Sequence, residues 1–222
     1  MQQPVQNQYA QPVLARPAQA QPSPRNTYGI ITRTPPLTDA RFVLQRADDV
    51  SAVLRMLGGV QINTVVLTGE PGAGKSTLAA LIYRQLSATA QESSLPFRYF
   101  AWVSSGYNAS LPDCLAALLD SLDAGMSLSE FMHLKPEQQL SFVLHLLRRA
   151  GQGSLVVFDQ IEELLDLETG QALPGRGVVS LFFDMLRQDL GSSRVILTCP
   201  RSPFGTQLGE DARTKAYLVS RV

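Results

Sequence analysis

The segment Gly69-Glu70-Pro71-Gly72-Ala73-Gly74-Lys75-Ser76-Thr77 constrains this chain more than any other stretch. It follows the β-branched run Thr64-Val65-Val66-Leu67-Thr68 and precedes apolar residues at helical spacing, Leu78, Leu81, Ile82 and Leu86. A buried strand, a glycine-rich turn and a helix in that order leave few folds open. Glycines let the backbone curl until successive N–H groups converge, and the start of the helix adds its positive dipole end at the same point. The spacing fits G-x-x-x-x-G-K-[ST], a loop that cradles phosphate. Lys75 is placed to reach the β- and γ-phosphates, and the Ser76 hydroxyl to ligate Mg²⁺. Gly69, Pro71, Gly72, Ala73, Gly74, Lys75, Ser76 and Thr77 are therefore the expected nucleotide-binding residues.

Other apolar runs repeat this alternation of strand and helix. Strands are predicted at Phe97 to Val103, Ser154 to Phe158 and Arg194 to Cys199, with a last one starting at Tyr217. Helices are predicted around Val50 to Leu57, stopped by Gly58-Gly59, and over Leu111 to Leu122, Gln138 to Arg149 and Val178 to Leu190. Strands separated by helices imply βαβ units, and hence a three-layer α/β/α fold with a mostly parallel sheet. Leu155-Val156-Val157-Phe158 ends in Asp159, at the carboxyl end of a buried strand where ligands of open sheets bind. Asp159 is the expected partner of Ser76 in holding Mg²⁺. The next residue, Gln160, orients water but takes no proton at neutral pH. Glu162 and Glu163 follow, and either can supply the missing carboxylate from a short helical turn. Glu163 joins Lys75, Asp159 and Gln160 as an expected catalytic residue.

Composition bounds the rest. Residues 1–40 hold seven of the chain's 14 prolines and seven glutamines, with little apolar periodicity, and read as a disordered tail. The globular part is residues 41–222. With 19 basic and 19 acidic residues, the formal net charge is zero, which disfavours general affinity for nucleic acid or an anionic membrane. No apolar run has the roughly 18 residues that span a bilayer, and the N-terminus lacks a signal-peptide pattern. The expectation is a cytoplasmic protein. Cys114, Cys199, His133 and His145 have no metal-ligand spacing, and Trp102 on a predicted central strand reads as core.

Over residues 40–222 the chain resembles the STAND class of signalling ATPases, and within it the NB-ARC nucleotide-binding domain. Phe97-Arg98-Tyr99-Phe100-Ala101-Trp102-Val103-Ser104 is similar to that family's aromatic, alanine-tryptophan-valine segment, and Asp159-Gln160-Ile161-Glu162-Glu163-Leu164 to its bacterial Walker B stretch. Ser193 to Thr198 resembles its sensor strand. The resemblance implies ATP or ADP with Mg²⁺, adenine contacts from Val43 and Arg46, and a γ-phosphate-reading arginine at Arg201. This chain departs from the family in two places: Phe42-Val43-Leu44-Gln45-Arg46 is one residue longer than Phe-Val-Gly-Arg, and Arg201 falls one position late, after Pro200. The family's C-terminal helical and winged-helix domains do not follow within the chain. The resemblance implies a slow, ATP/ADP-controlled switch that acts through protein partners or a homo-oligomer. The alternatives are an AAA-like turnover ATPase working as a ring, with Arg213 as the arginine offered to a neighbour, and a non-enzymatic scaffold that retains ADP.

Overall fold

A computed structural model of the chain describes residues 31–39, 41, 45–90, 97–106, 109–149, 151, 153–166, 168–169, 177–204 and 213–221. Residues 1–30 of the proline- and glutamine-rich stretch, and Val43, lie outside them. Six strands form one sheet: β1 (Ile31–Thr32), β2 (Thr64–Thr68), β3 (Phe97–Ser105), β4 (Gly153–Asp159), β5 (Arg194–Thr198) and β6 (Thr214–Leu218). Their order is β1-β3-β4-β5-β2-β6; β1 is antiparallel to β3, and all other pairs are parallel. The helices are α1 (Ala47–Leu57), α2 (Lys75–Thr89), α3 (Leu111–Ala116), α4 (Leu128–His133), α5 (Pro136–Leu147) and α6 (Gly177–Leu186), with a 3-10 turn at Ile161–Leu164.

Strand residues point alternately to two cores, which is why the strand sequences are apolar throughout rather than alternating. Val65, Leu67, Trp102, Leu155, Val157 and Ile196 meet α1 and α2 on one face. Val66, Ala101, Val103, Val156, Phe158, Val195 and Leu197 meet α3 to α6 on the other. The architecture is the three-layer α/β/α fold predicted from the sequence. Trp102 is core, edge-on to Tyr83 at 5.8 Å between ring centres.

Several boundaries differ from the sequence-based prediction. The helix predicted over Leu111 to Leu122 ends at Ala116, beyond which Leu118 and Leu119 bond to carbonyls three residues back, tightening the chain into turns. The α4 helix, which apolar periodicity does not reveal, starts at a capping box of Ser127 and Glu130. The α6 helix stops at Leu186 rather than Leu190, and β6 starts three residues before Tyr217. Contacts of the folded domain also reach upstream of residue 40. Ile31 and Thr32 pair with Ser105 and Ser104, and the Arg84 guanidinium of α2 donates to Thr38 Oγ1 at 2.7 Å and to the Pro35 and Pro36 carbonyls.

Arg194, at the start of β5, is 8% exposed and fastens the base of the sheet to α1. It donates to the carbonyls of Leu57 (3.0 Å), Gly59 (3.4 Å), Gly191 (3.1 Å) and Ser193 (2.8 Å). Hydrogen bonds from a charged donor contribute more than neutral ones, and buried acceptors left without a donor are costly. Arg194→Leu should therefore lower unfolding stability by about 2–4 kcal/mol, read as a lower urea midpoint with an unchanged slope.

Candidate functional site

The sheet order brings three strand ends together at its carboxyl edge. The phosphate loop leaves β2, Asp159 ends β4, and β5 lies between them, so that Thr198 sits beside both. Asp159 is 2% exposed, and its carboxylate accepts three hydroxyl donors. They are Ser76 Oγ of α2 (2.7 Å), Thr198 Oγ1 of β5 (2.5 Å) and Ser104 Oγ of β3 (3.3 Å). Thr198 Oγ1 also accepts from the Gln160 N–H at 2.9 Å. The threonine thus fixes both the Asp159 carboxylate and the backbone beyond it.

Glycine is required at specific points of the loop. Gly72 and Gly74 have φ of +79° and +89°, a region that side chains disfavour. Gly74 is the residue from which α2 begins, and it has no side chain to occupy the N–H groups of the first turn. Gly69 answers to a different neighbour: a Cβ there would lie 2.5 Å from the Val219 carbonyl oxygen. Lys75 Nζ donates to the carbonyls of Gly69 (2.8 Å) and Glu70 (3.0 Å).

A cleft of about 420 Å³ opens over this loop, lined by Pro71, Gly72, Gly74, Lys75, Ser76, Thr77, Gln160, Glu162 and Thr198. Gln160 adopts a left-handed conformation, φ +58° and ψ +49°. This bend turns the chain from β4 into the 3-10 turn, burying Ile161 and Leu164. It also decides which glutamate faces the cleft: Glu162 lines it, whereas Glu163 is exposed and lies outside the lining. Glu162 is half-buried, and its Oε2 has no hydrogen-bond partner. Burial pushes its carboxyl above the usual glutamate range, reinforced by Asp159 and Glu163 and opposed by a backbone N–H and by Lys75.

Two other expected contacts are not among the residues that line this cleft. Arg201 is exposed and donates to the Glu168 carbonyl at 2.6 Å. Arg46 is buried, with one terminal nitrogen on Asp49 and the other on the Ala73 carbonyl. Arg213 opens β6 at the opposite, amino edge of the sheet, where its carbonyl accepts from Asn63 and Thr64 and its side chain lies 3.5 Å from Asp189. Tyr217, Asp49 and Arg221 also approach the loop region, and no motif announces them. Arg221 donates to the Pro71 carbonyl at 3.2 Å.

The donor chemistry suits Mg²⁺. Ser76 and Asp159 offer adjacent hard oxygen ligands, few enough for the ion to retain water and bind phosphate oxygens. Among the described residues no group of three or more His, Cys, Asp or Glu could hold a metal by itself. When bound, Mg²⁺ supplies neutralisation of the phosphate charge.

Fold and site together define a P-loop nucleotide-binding domain. The profile of the NB-ARC domain matches residues 46–181, more than half of the chain, which therefore belongs to the NB-ARC family. No curated protein matches the sequence. Among solved structures, the chain is similar to the Aeropyrum pernix ORC2 protein in its ADPNP-ADP complexes. Identity is 15% and the TM-score 0.57, covering 84% of this chain and 49% of that one. It is also similar to Drosophila ORC bound to DNA, at 15% identity and a TM-score of 0.53, covering 78% of this chain and 42% of that one. The chain spans about half the length of these neighbours or less, and at this identity the likeness concerns the fold.

Thr198→Val tests the node at the cleft. It leaves a buried carboxylate oxygen and the Gln160 N–H each short of one partner, at a cost of about 1–3 kcal/mol. The expected readout is a melting temperature lower by roughly 3–10 °C in the nucleotide-free protein.

Proposed function

We infer that the chain is an ATP/ADP-binding switch of the STAND type, in which occupancy of the cleft by nucleotide with Mg²⁺ biases assembly with protein partners and hydrolysis is slow. One observation carries this reading. The residue after Asp159 is Gln160, and the carboxylate that faces the cleft is Glu162, three positions on and half-buried. An amide cannot accept the proton of an attacking water, and the carboxylate that lines the cleft sits on the 3-10 turn rather than directly beside Asp159. Both favour a state that persists over rapid turnover. In this reading Lys75 and the loop N–H groups bind phosphate, Ser76 and Asp159 hold the metal, and Gln160 orients water. Glu162 accepts the proton, a role that the sequence left open between it and Glu163, with Glu163 counted among the expected catalytic residues. A ligand shifts such an equilibrium only by its differential affinity for two states, so the output requires a second domain or a partner.

The likeness to ORC proteins supports a second reading, an oligomeric turnover ATPase. In that case specific hydrolysis rises with protein concentration; in the switch it does not. A scaffold that merely retains ADP differs from the switch in exchanging nucleotide too slowly to respond.

Three measurements test the proposal. Denaturing the purified protein and chromatographing the supernatant should release ADP close to one per chain. Lys75→Ala should abolish nucleotide binding with an unchanged circular dichroism spectrum, and wild-type affinity in this variant would sink the site assignment. Glu162→Gln should slow single-turnover hydrolysis by about 10²-fold or more with little change in affinity, whereas Glu163→Gln should leave the rate near wild type. The reverse pattern returns the role to Glu163.

A further inference from the structure

Arg46 is 4% exposed, immediately before α1, and is not among the residues that line the cleft. Nη1 pairs with Asp49 Oδ2 at 2.7 Å, and Nη2 donates to the Ala73 carbonyl at 2.5 Å. Ala73 stands between the two left-handed glycines, and its carbonyl belongs to the same peptide plane as the Gly74 N–H. In a trans peptide the C=O and N–H point in opposite directions. Holding the Ala73 oxygen toward Arg46 therefore turns the Gly74 N–H away from it, and Gly74 lines the cleft. The fit is close: a Cβ on Gly74 would stand 3.0 Å from Arg46 Nη2.

Arg46 is itself held. The other oxygen of Asp49 accepts from the Tyr217 hydroxyl of β6 at 2.5 Å. Burial alone would raise the Asp49 carboxyl, but the Tyr217 and Arg46 hydrogen bonds and the guanidinium charge outweigh it and hold it below the usual range. The Tyr217 phenol is pushed up to about 12, chiefly by the same hydrogen bond. Tyr217 pairs with Leu67 of β2, two residues before the loop begins. Four groups thus run in series from β6 through α1 to the middle of the loop.

We propose that Tyr217, Asp49 and Arg46 form a relay that sets the orientation of the Ala73–Gly74 peptide, making Arg46 a positioning residue for phosphate binding rather than an adenine contact. The relay rests on the nucleotide-site reading above. Both terminal guanidinium nitrogens are already engaged, one with Asp49 and the other with the Ala73 carbonyl. Removing Arg46 lets the peptide rotate, so nucleotide binds to a loop that must first be ordered. Removing the Tyr217 hydroxyl leaves the Asp49–Arg46 pair in place but less firmly fixed, so its effect is smaller and passes through Arg46.

The test is a double-mutant cycle on the full 222-residue chain, with ADP and Mg²⁺ affinity read by calorimetry and thermal unfolding read without nucleotide. Arg46→Met should weaken ADP binding about tenfold or more, the scale set by one hydrogen bond from a charged donor. Tyr217→Phe, which conserves the ring, should weaken it a few-fold in the wild-type background and not at all in the Arg46→Met background. Arg46→Lys, with one ammonium in place of a fork, should fall between Arg46→Met and wild type. Arg46→Met that binds ADP like wild type, while Lys75→Ala does not bind, overturns the relay and leaves the nucleotide site standing. Independent, multiplicative effects of Arg46→Met and Tyr217→Phe also overturn it. A wild-type chain that binds no nucleotide overturns the site reading and the relay together.

Discussion

The carboxylate of Asp159 organises the carboxyl edge of this sheet. It is nearly inaccessible, and a charge so buried is tolerated only when it is well solvated by the protein. Three hydroxyls provide that solvation, and they come from α2, β3 and β5. One side chain at the end of β4 therefore fixes the lateral positions of three other elements. The phosphate loop inherits its placement from this knot, because Ser76 belongs both to the loop and to the carboxylate's shell. Apolar packing on the two faces holds the sheet together but does not align the ends of its strands to hydrogen-bonding tolerance; the hydroxyls do.

The left-handed backbone of Gln160 is the second determinant of the site. A non-glycine residue in that region costs about 1 kcal/mol. The Gln160 N–H bond to Thr198 offsets part of that cost, and the bend delivers Ile161 and Leu164 to the core. As a result the two adjacent glutamates occupy different environments, one half-buried within the field of the Lys75 ammonium and the other exposed.

Much of this was legible in the sequence. The phosphate loop was readable because its chemistry demands particular residues at fixed spacing, and the strands because burial on both faces leaves uninterrupted apolar runs. Asp159 followed from its place at the end of such a run. The choice between Glu162 and Glu163 was not legible, since it depends on a backbone angle at Gln160 that no periodicity encodes. Nor was the Arg46–Asp49–Tyr217 chain, whose last two members are 168 residues apart and of ordinary type for their elements. The short β1 strand was obscured by prolines that signal the absence of regular structure, although two residues suffice to pair with the end of β3. Helix α3 was overextended in prediction because leucines and alanines favour helix whether or not the chain needs to turn.

Gly69 opens the motif, yet it lies outside the cleft lining; the atom that crowds it is the carbonyl oxygen of Val219, just past β6. The identity of the residue at 69 is thus bound to the route taken by the chain 150 positions later. A pattern search counts this glycine as part of a ligand signature, whereas geometrically it is a clearance between two backbones. Moving the chain beyond β6 would relieve that crowding but not the φ of +142°, so residue 69 is held to glycine by its own backbone as well as by a distant one.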